Sequence, residues 1–279
     1  MIIVVSDVHL AQHPDDPDVK RDDQAFEDFL KHIACDQLRD GGHLVLLGDI
    51  VDFWRRDFAK ALTETAEIFS MLTSFNNSVN VHYVAGNHDF FMLRLYERQT
   101  PKFPFVEVSR SLSLQDGGSK FFFIHGYQLE VLANPFYKSL TSYESFSENL
   151  CLYGDDTGNA ASRLWDAFQT SKSLLGGLVR LPVDISASLK SMMKSPEERL
   201  EGAHKAKSSI DRLAASRART LYIGAERDEV LVYGHTHDHD SAYDAACRVV
   251  NTGSWKKSPC EEYRFLEIKD GRVAAKAFR

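Results

Sequence analysis

Cysteine is scarce and unpatterned in this chain of 279 residues. There are four, Cys35, Cys151, Cys247 and Cys260, and none stands in a C-x-x-C pair. Zinc-ribbon and thioredoxin-like readings are thereby excluded, and buried thiols in a reducing compartment are expected instead. Positive charge is in deficit: 33 Lys and Arg against 40 Asp and Glu give a net charge of -7. That balance disfavours a non-specific nucleic-acid binder. An acidic chain that handles anionic phosphates would need metal to offset its own charge. No apolar run approaches the ~20 residues of a membrane span. The first residues, Met1-Ile2-Ile3-Val4-Val5-Ser6-Asp7, lack the basic region of a signal peptide. A cytoplasmic protein is expected, with contact at a membrane surface left open. Internal repeats and low-complexity segments are absent too.

What the sequence does have is five short apolar runs, each followed at once by residues that bind metal. Ile2–Val5 predicts a buried strand and leads into Asp7-Val8-His9. Residues 44–47 are uninterruptedly apolar and stop at Gly48-Asp49-Ile50-Val51-Asp52. Val79–Val84 alternates and ends at Gly86-Asn87-His88-Asp89, while 120–124 ends at His125-Gly126. Glu229–Tyr233 ends at Gly234-His235-Thr236-His237.

Between these runs, Phe26, Phe29, Leu30 and Ile33 recur at helical spacing and predict a helix from about Asp22. A second helix is expected over 59–75. Residues 106–124 read as antiparallel strands around Asp116-Gly117-Gly118, and 263–278 as a hairpin around Asp270-Gly271. Residues 127 to about 225 break the pattern, because strand signals give way to helical ones. Ser195-Pro196-Glu197-Glu198 is a full helix start, with a serine cap, proline at N1 and glutamate at N3.

In an α/β sheet the carboxyl ends of strands face a common crevice. Five strand ends supply Asp7, His9, Asp49, Asn87, His125, His235 and His237 to it. Asp7 and His9, two apart on an extended segment, face one side, as do His235 and His237, so each pair can share a cation. Asp49 has two oxygens and could bridge two cations; on its own stretch alone, capping a helix is an equal reading. Carboxylate, amide and imidazole together suit manganese, iron or zinc. The absence of thiolate ligands argues against a structural zinc site. Two such cations about 3.5–4 Å apart can deprotonate a bridging water and polarise a phosphoryl group. His88 is assigned to leaving-group protonation, with Asp89 orienting it. Asp52 is either a support for the ligands or a helix N-terminal carboxylate. Arg55 and Arg56 are candidates to grip a second phosphate. Phe53 and Trp54 read as packing.

The five blocks, in this order, resemble those of the calcineurin-like metallophosphoesterases over roughly 1–126 and 227–279. The resemblance implies a four-layer α-β-β-α sandwich, a core of 1–126 and 227–279, and a helical cap inserted at 127–226. It implies that Asp7, His9, Asp49 and His237 hold one divalent ion, and Asp49, Asn87, His125 and His235 a second, manganese first, iron or zinc otherwise. The expected activity is hydrolysis of a phosphate monoester, diester or pyrophosphate by the bridging hydroxide.

The place of the insertion is similar to that in UDP-2,3-diacylglucosamine hydrolases, which cleave a lipid-linked pyrophosphate. The chain departs from that group in carrying His88 where arginine is usual. Its insertion holds an apolar, glycine-loosened stretch at 174–183 and a basic flank at 190–219. That pairing suits a lipid-linked or nucleotide phosphate and peripheral contact with a membrane, the other reading being that the apolar stretch packs onto the core. A nuclease of the same fold and a non-catalytic metal-binding scaffold are the alternatives. Against the first stands the lack of a basic groove interleaved with aromatics; against the second, the retention of every ligand and of His88.

Overall fold

In the computed structural model the described residues are 1–12, 17–75, 79–99, 103–133, 137–152, 210–237, 244, 248–255 and 262–279. The apolar stretch 174–183, most of the basic flank and His239 lie outside them.

The strands form two sheets. The larger runs β10-β9-β1-β2-β3-β4, from β1 (Ile2–Val5), β2 (Gly42–Leu47), β3 (Val79–Val84), β4 (Glu107–Ser109), β9 (Tyr263–Lys269) and β10 (Arg272–Phe278). The smaller runs β5-β6-β7-β8, from β5 (Ser111–Asp116), β6 (Ser119–Ile124), β7 (Glu229–Tyr233) and β8 (Val249–Asn251). β1 to β4 are mutually parallel, as are β6 to β8. Parallel strands put their carboxyl ends at one edge, which is the property that gathers the five motif loops.

Three apolar clusters separate the layers. Ile2, Val4, Val45, Leu47 and Val84 of the larger sheet meet Leu112, Phe121, Phe123, Val230 and Val232 of the smaller. The opposite face of the larger sheet packs Ile3, Val5, Leu44 and Leu46 against helices. These are α1 (Pro17–Cys35) with Phe26, Phe29 and Leu30, α3 (Ala66–Ser74) with Leu72, and α4 (Met92–Gln99) with Met92. The outer face of the smaller sheet is covered by α5 (Tyr127–Ala133) and α7 (Ile210–Ala214), with Leu129 and Ala214 against Leu231 and Tyr233. Alternate residues of β1 thus face different layers, as a strand buried on both sides requires. The result is the expected α-β-β-α order.

Local chemistry explains where the elements depart from expectation. α1 begins at a proline, which the first helical turn accepts. The helix expected over 59–75 is two, α2 (Phe58–Glu64) and α3. Thr65 divides them: its hydroxyl donates to the carbonyls of Ala61 at 2.8 Å and Leu62 at 3.4 Å, within the last turn of α2. Residues 106–124 are not one antiparallel set. β4 joins the larger sheet parallel to β3, and only β5 and β6 pair antiparallel, in the other sheet. The chain changes sheets at Arg110.

The segment expected as a cap begins as core. Tyr127, Val131, Tyr137, Tyr143, Phe146, Leu150 and Cys151, on α5, α6 (Leu140–Leu152) and the link between them, belong to the main cluster. Among the described residues no helix is long and apolar enough to cross a membrane.

Candidate metal centre

Three of the five strand ends, those of β1, β2 and β7, deliver their side chains in an unusual backbone state. Eight non-glycine residues among those described have positive φ, and five of them are Asp7 (55°), His9 (52°), Asp49 (52°), His235 (70°) and His237 (53°). A left-handed conformation costs a non-glycine residue about 1 kcal/mol or more. The adjoining strands hold it in place, since burying one Val, Leu or Ile side chain is worth ~1.5–3 kcal/mol and every residue of β1 is buried. Gly86 meets a second demand. A Cβ there would lie 2.1 Å from Asp49 Oδ1, so only glycine lets the third loop close over the second.

The ligand atoms fall into two principal groups. Those of Asp7, His9 and His237 lie within 4.8 Å of one another, and so do those of Asp49, His125 and His235. Asp49 Oδ2 stands between them, 3.1 Å from His125 Nε2 and 4.0 Å from His9 Nε2. Its other oxygen, Oδ1, accepts the amide of His88 at 2.8 Å. Of the two Asp49 oxygens, Oδ2 is therefore the one turned to both groups.

Hydrogen bonds on the far sides of the ligands fix how they are presented. The Ser6 hydroxyl donates to Asp7 Oδ2, and the His235 amide donates to the same oxygen at 3.1 Å. His125 Nδ1 donates to the Leu47 carbonyl at 2.9 Å, which turns Nε2 inward, to the side a cation would occupy. Three buried atoms at the centre then make no well-directed hydrogen bond: Asn87 Oδ1, Asp7 Oδ1, which has only an ion-pair contact with His237 Nε2 at 3.2 Å, and His125 Nε2, which has only the contact with Asp49 Oδ2. Each belongs to an expected ligand. Leaving such groups unsatisfied costs ~1–3 kcal/mol apiece, and divalent cations are what this donor set of oxygens and imidazoles fits.

Charge at the centre is strongly coupled. Burial pushes the Asp7 carboxyl up, but the His237 and His125 rings outweigh it and hold the group well below the usual carboxylate range. Asp49 behaves alike: burial raises it, and His125 and His88 more than reverse that. Burial works against a charged His125, yet the carboxylates of Asp49 and Asp7 carry its pKa up to about 10.

Asp52 stands against the expected ligand His9, as one of its two readings had it, and it also takes the place beside His88 that was expected of Asp89. His88 Nδ1 lies 3.1 Å from Asp52 Oδ1, and His9 Nδ1 3.3 Å from Asp52 Oδ2. An ionised carboxylate only accepts, so both rings donate from Nδ1 and turn Nε2 the other way. Asp52 also takes the amides of Trp54 and Arg55, both at 3.1 Å, and Arg55 Nη1 at 3.3 Å. Burial raises its pKa, but His88 and His9 keep it well below normal. It is not a helix N-terminal carboxylate, because α2 is capped by Asp57.

Asp89 makes no bond to His88. It accepts Ile50 N–H at 2.7 Å, the Tyr83 hydroxyl at 2.6 Å and Gly86 N–H at 2.6 Å, and so ties the β2 loop to the β3 loop. Burial and the Asp49 charge push it up to about 6. The indole of Trp54 stacks on the His88 ring, centroids 4.3 Å apart and planes 23° from parallel. Trp54 is packing, as expected, but packing that holds His88.

Arg55 sits at the crevice through Asp52, whereas Arg56 is drawn to Glu64 on α2, with Nε 3.2 Å from Oε2. One buried charge was missed in the sequence. Glu130 Oε2 lies 2.7 Å from His235 Nε2. The available signal was a carboxylate placed five residues after His125 in a stretch where Tyr127, Leu129 and Val131 are apolar.

Comparison with known proteins gives the family. No curated protein matches the chain. Among solved structures, an archaeal phosphodiesterase aligns over 99% of both chains at 12% identity and a TM-score of 0.45. A dimetal phosphatase from Danio rerio aligns over 99% of this chain and 95% of its own at 12% identity and 0.44. A Vps29 single mutant from Entamoeba histolytica aligns over 100% and 99% at 13% identity and 0.37. These superpositions are loose and lend no weight to any activity. The model of the calcineurin-like phosphoesterases matches residues 1–239, a span that covers most of the chain and within which all seven expected ligands fall. This chain belongs to the calcineurin-like phosphoesterase family.

Proposed function

We propose that the protein is a dinuclear metal-dependent phosphohydrolase acting on a phosphate monoester, diester or pyrophosphate. The observation that carries this is the pair of ligand groups, Asp7 with His9 and His237 and Asp49 with His125 and His235, with the buried atoms Asp7 Oδ1 and His125 Nε2 3.9 Å apart and neither in a directed hydrogen bond. Asp7, His9, Asp49 and His237 would hold one ion, and Asp49, Asn87, His125 and His235 the other. When bound, two divalent ions supply an ionised water as nucleophile and offset phosphoryl charge.

The chain's own residues do the rest. Asp52 anchors His88 through Nδ1, and Trp54 clamps the ring from its face. His88 Nε2 is thereby directed away from Asp52 and can give a proton to the departing alkoxide or phosphate oxygen. Asp89 holds the Asn87–His88 loop against the Asp49 loop. Arg55, kept near by Asp52, supplies positive charge for a second phosphate. Manganese is the first choice of ion, iron or zinc the others. The apolar and basic composition of 174–183 and 190–219 favours a lipid-linked substrate met at a membrane surface.

The test is a metal-loaded activity screen with p-nitrophenyl phosphate, its bis-ester and nucleotide pyrophosphates. Turnover should vanish with chelator and return on adding manganese. Folded protein that carries two ions and turns over none of these would favour a scaffold.

A further inference from the structure

We infer that Glu130 is a positioning residue of the centre: it holds His235 by Nε2, so that this histidine meets a cation through Nδ1. The inference rests on the two-ion reading above. Glu130 Oε2 and His235 Nε2 are 2.7 Å apart, and both residues are largely shielded from water. The other oxygen, Oε1, accepts the hydroxyl of Tyr137 at 3.2 Å. Tyr137 packs edge-on against Tyr143, with centroids 5.3 Å apart, and Tyr143 stacks on Tyr127 at 5.6 Å. The carboxylate is therefore braced on both oxygens, one by the metal site and one by the aromatic wall of α5 and α6.

Glu130 is not itself among the ligand atoms that lie within 4.8 Å of one another; the group there is Asp49, His125 and His235. It stands behind His235 rather than beside the other ligands. A carboxylate in that position accepts from the ring, fixes its tautomer and makes the opposite nitrogen a better donor. Gly126 permits the arrangement: its φ is 128°, and a Cβ there would lie 2.9 Å from His235 Cβ. The helix that carries Glu130 can thus start one residue after Gly126 and pass close to His235. The consequence is that α5, although it opens the inserted region, is part of the metal centre's support.

Two readouts on the intact protein test this. The first is zinc stoichiometry and affinity, by competition with a chromogenic chelator, for the unsubstituted protein and for Glu130→Gln, which keeps shape and removes charge. One of two zinc ions should bind ~10–100-fold more weakly in the variant, and the other should be unchanged. Equal affinity for both ions in the two proteins would overturn the role.

The second readout needs no variant. In zinc-loaded protein with 15N-labelled histidine, His235 should show a coordinated Nδ1 and a protonated Nε2. Coordination through Nε2 would overturn it. If the unsubstituted protein binds fewer than two zinc ions, the two-ion reading fails on that measurement alone, and the ring nitrogen used by His235 still decides the part played by Glu130.

Discussion

Two clusters of histidine and carboxylate draw on the parallel strands of the larger sheet, one of them joined by the ends of β6 and β7 from the smaller, and only that one has the makings of a centre. In the crevice, Asp7, His9, Asp49, Asn87, His125, His235 and His237 lie on loops past the strand ends. Away from it, His43 of β2, His82 of β3 and Glu107 of β4 lie within the strands themselves. The second cluster is closed: His43 Nδ1 is 2.9 Å from His82 Nε2, and His82 Nδ1 is 3.2 Å from Glu107 Oε1. Donors and acceptors pair off along the chain His43, His82, Glu107. The first cluster is open, with three buried atoms lacking directed hydrogen bonds and five residues in left-handed backbone. Density of histidines does not mark a metal centre. Buried ligand atoms left without directed hydrogen bonds, on loops beyond the strand ends, do.

The largest expected effect tests that openness at its middle. Asp49→Asn should strip at least one ion, and more than any other single ligand change. The new side-chain amide would turn its carbonyl to the His88 N–H, which Oδ1 now serves at 2.8 Å, and so aim its NH2 group at His125 Nε2 where Oδ2 stands. A donor would then face the cations. Metal analysis after dialysis checks this, and two ions at full occupancy would count against the bridging place of Oδ2.

Next in size is the proton donor and its anchor. His88→Ala should keep both ions and lose about 10²–10⁴-fold in turnover, less for esters with good leaving groups. Asp52→Asn should follow it in the same direction, since an amide there cannot accept from both His9 and His88 while receiving the Trp54 and Arg55 amides. Asp89→Asn should instead lower thermal stability, because its oxygens staple Ile50, Tyr83 and Gly86. A loss of turnover in Asp89→Asn without any change in stability would return the orienting role to Asp89.

Those two aspartates show where the sequence was legible and where it was not. Fold class and strand ends were readable because apolar runs and motif loops are local patterns, and the candidate ligands could be named from the same loops. The layers came from the family resemblance, because β1 and β2 are continuous apolar runs whose two faces periodicity does not tell apart. The partner of His88 was not readable from adjacency: Asp89 is its neighbour in the chain, yet a residue and its successor diverge on a turning loop. Asp52 reaches it because the β2 and β3 loops lie side by side in the parallel sheet. Glu130 was hidden for the same reason, since its bond to His235 spans 105 positions. The split at Thr65 and the separate course of β4 depend on competition between local and sheet hydrogen bonds, which residue periodicity does not report.

A third expectation concerns protons. In the metal-free protein Asp49 and Asp7 carry His125 up to about 10, so the ring is charged at neutral pH. A cation needs the Nε2 lone pair and must displace that proton. Uptake should release protons and tighten as pH rises, by up to about tenfold per unit for each proton released. Calorimetry in buffers of different ionisation enthalpy measures the number released. Binding that releases none would mean that His125 is already neutral, and that its Nε2 is unspent in the free protein as well.

The smallest effect is expected at the closed cluster, and it should have a different character. Replacing His43 with Thr and His82 with Val should leave metal content and turnover unchanged, since neither ring faces the crevice. What should change is the acid side of stability. Burial, with the His82 ring and the N-terminal amine adding to it, lowers the pKa of His43; burial also lowers that of His82, against the opposing pull of Glu107. The folded state therefore binds these protons less readily than the unfolded chain. Stability from this source is present above the ordinary histidine pKa of ~6.5 and is lost as pH falls through it. Asp89, pushed up to about 6, acts in the opposite sense, because the folded state gains its proton first. It is unaltered in the variant, so its contribution cancels in the difference. Thermal melts of the two proteins at about pH 7.5 and about pH 5.5, on either side of that histidine value, should show a smaller acid-induced drop in the variant, by a few degrees at most. Any fall in bound metal would instead join the two clusters and dissolve the distinction between them.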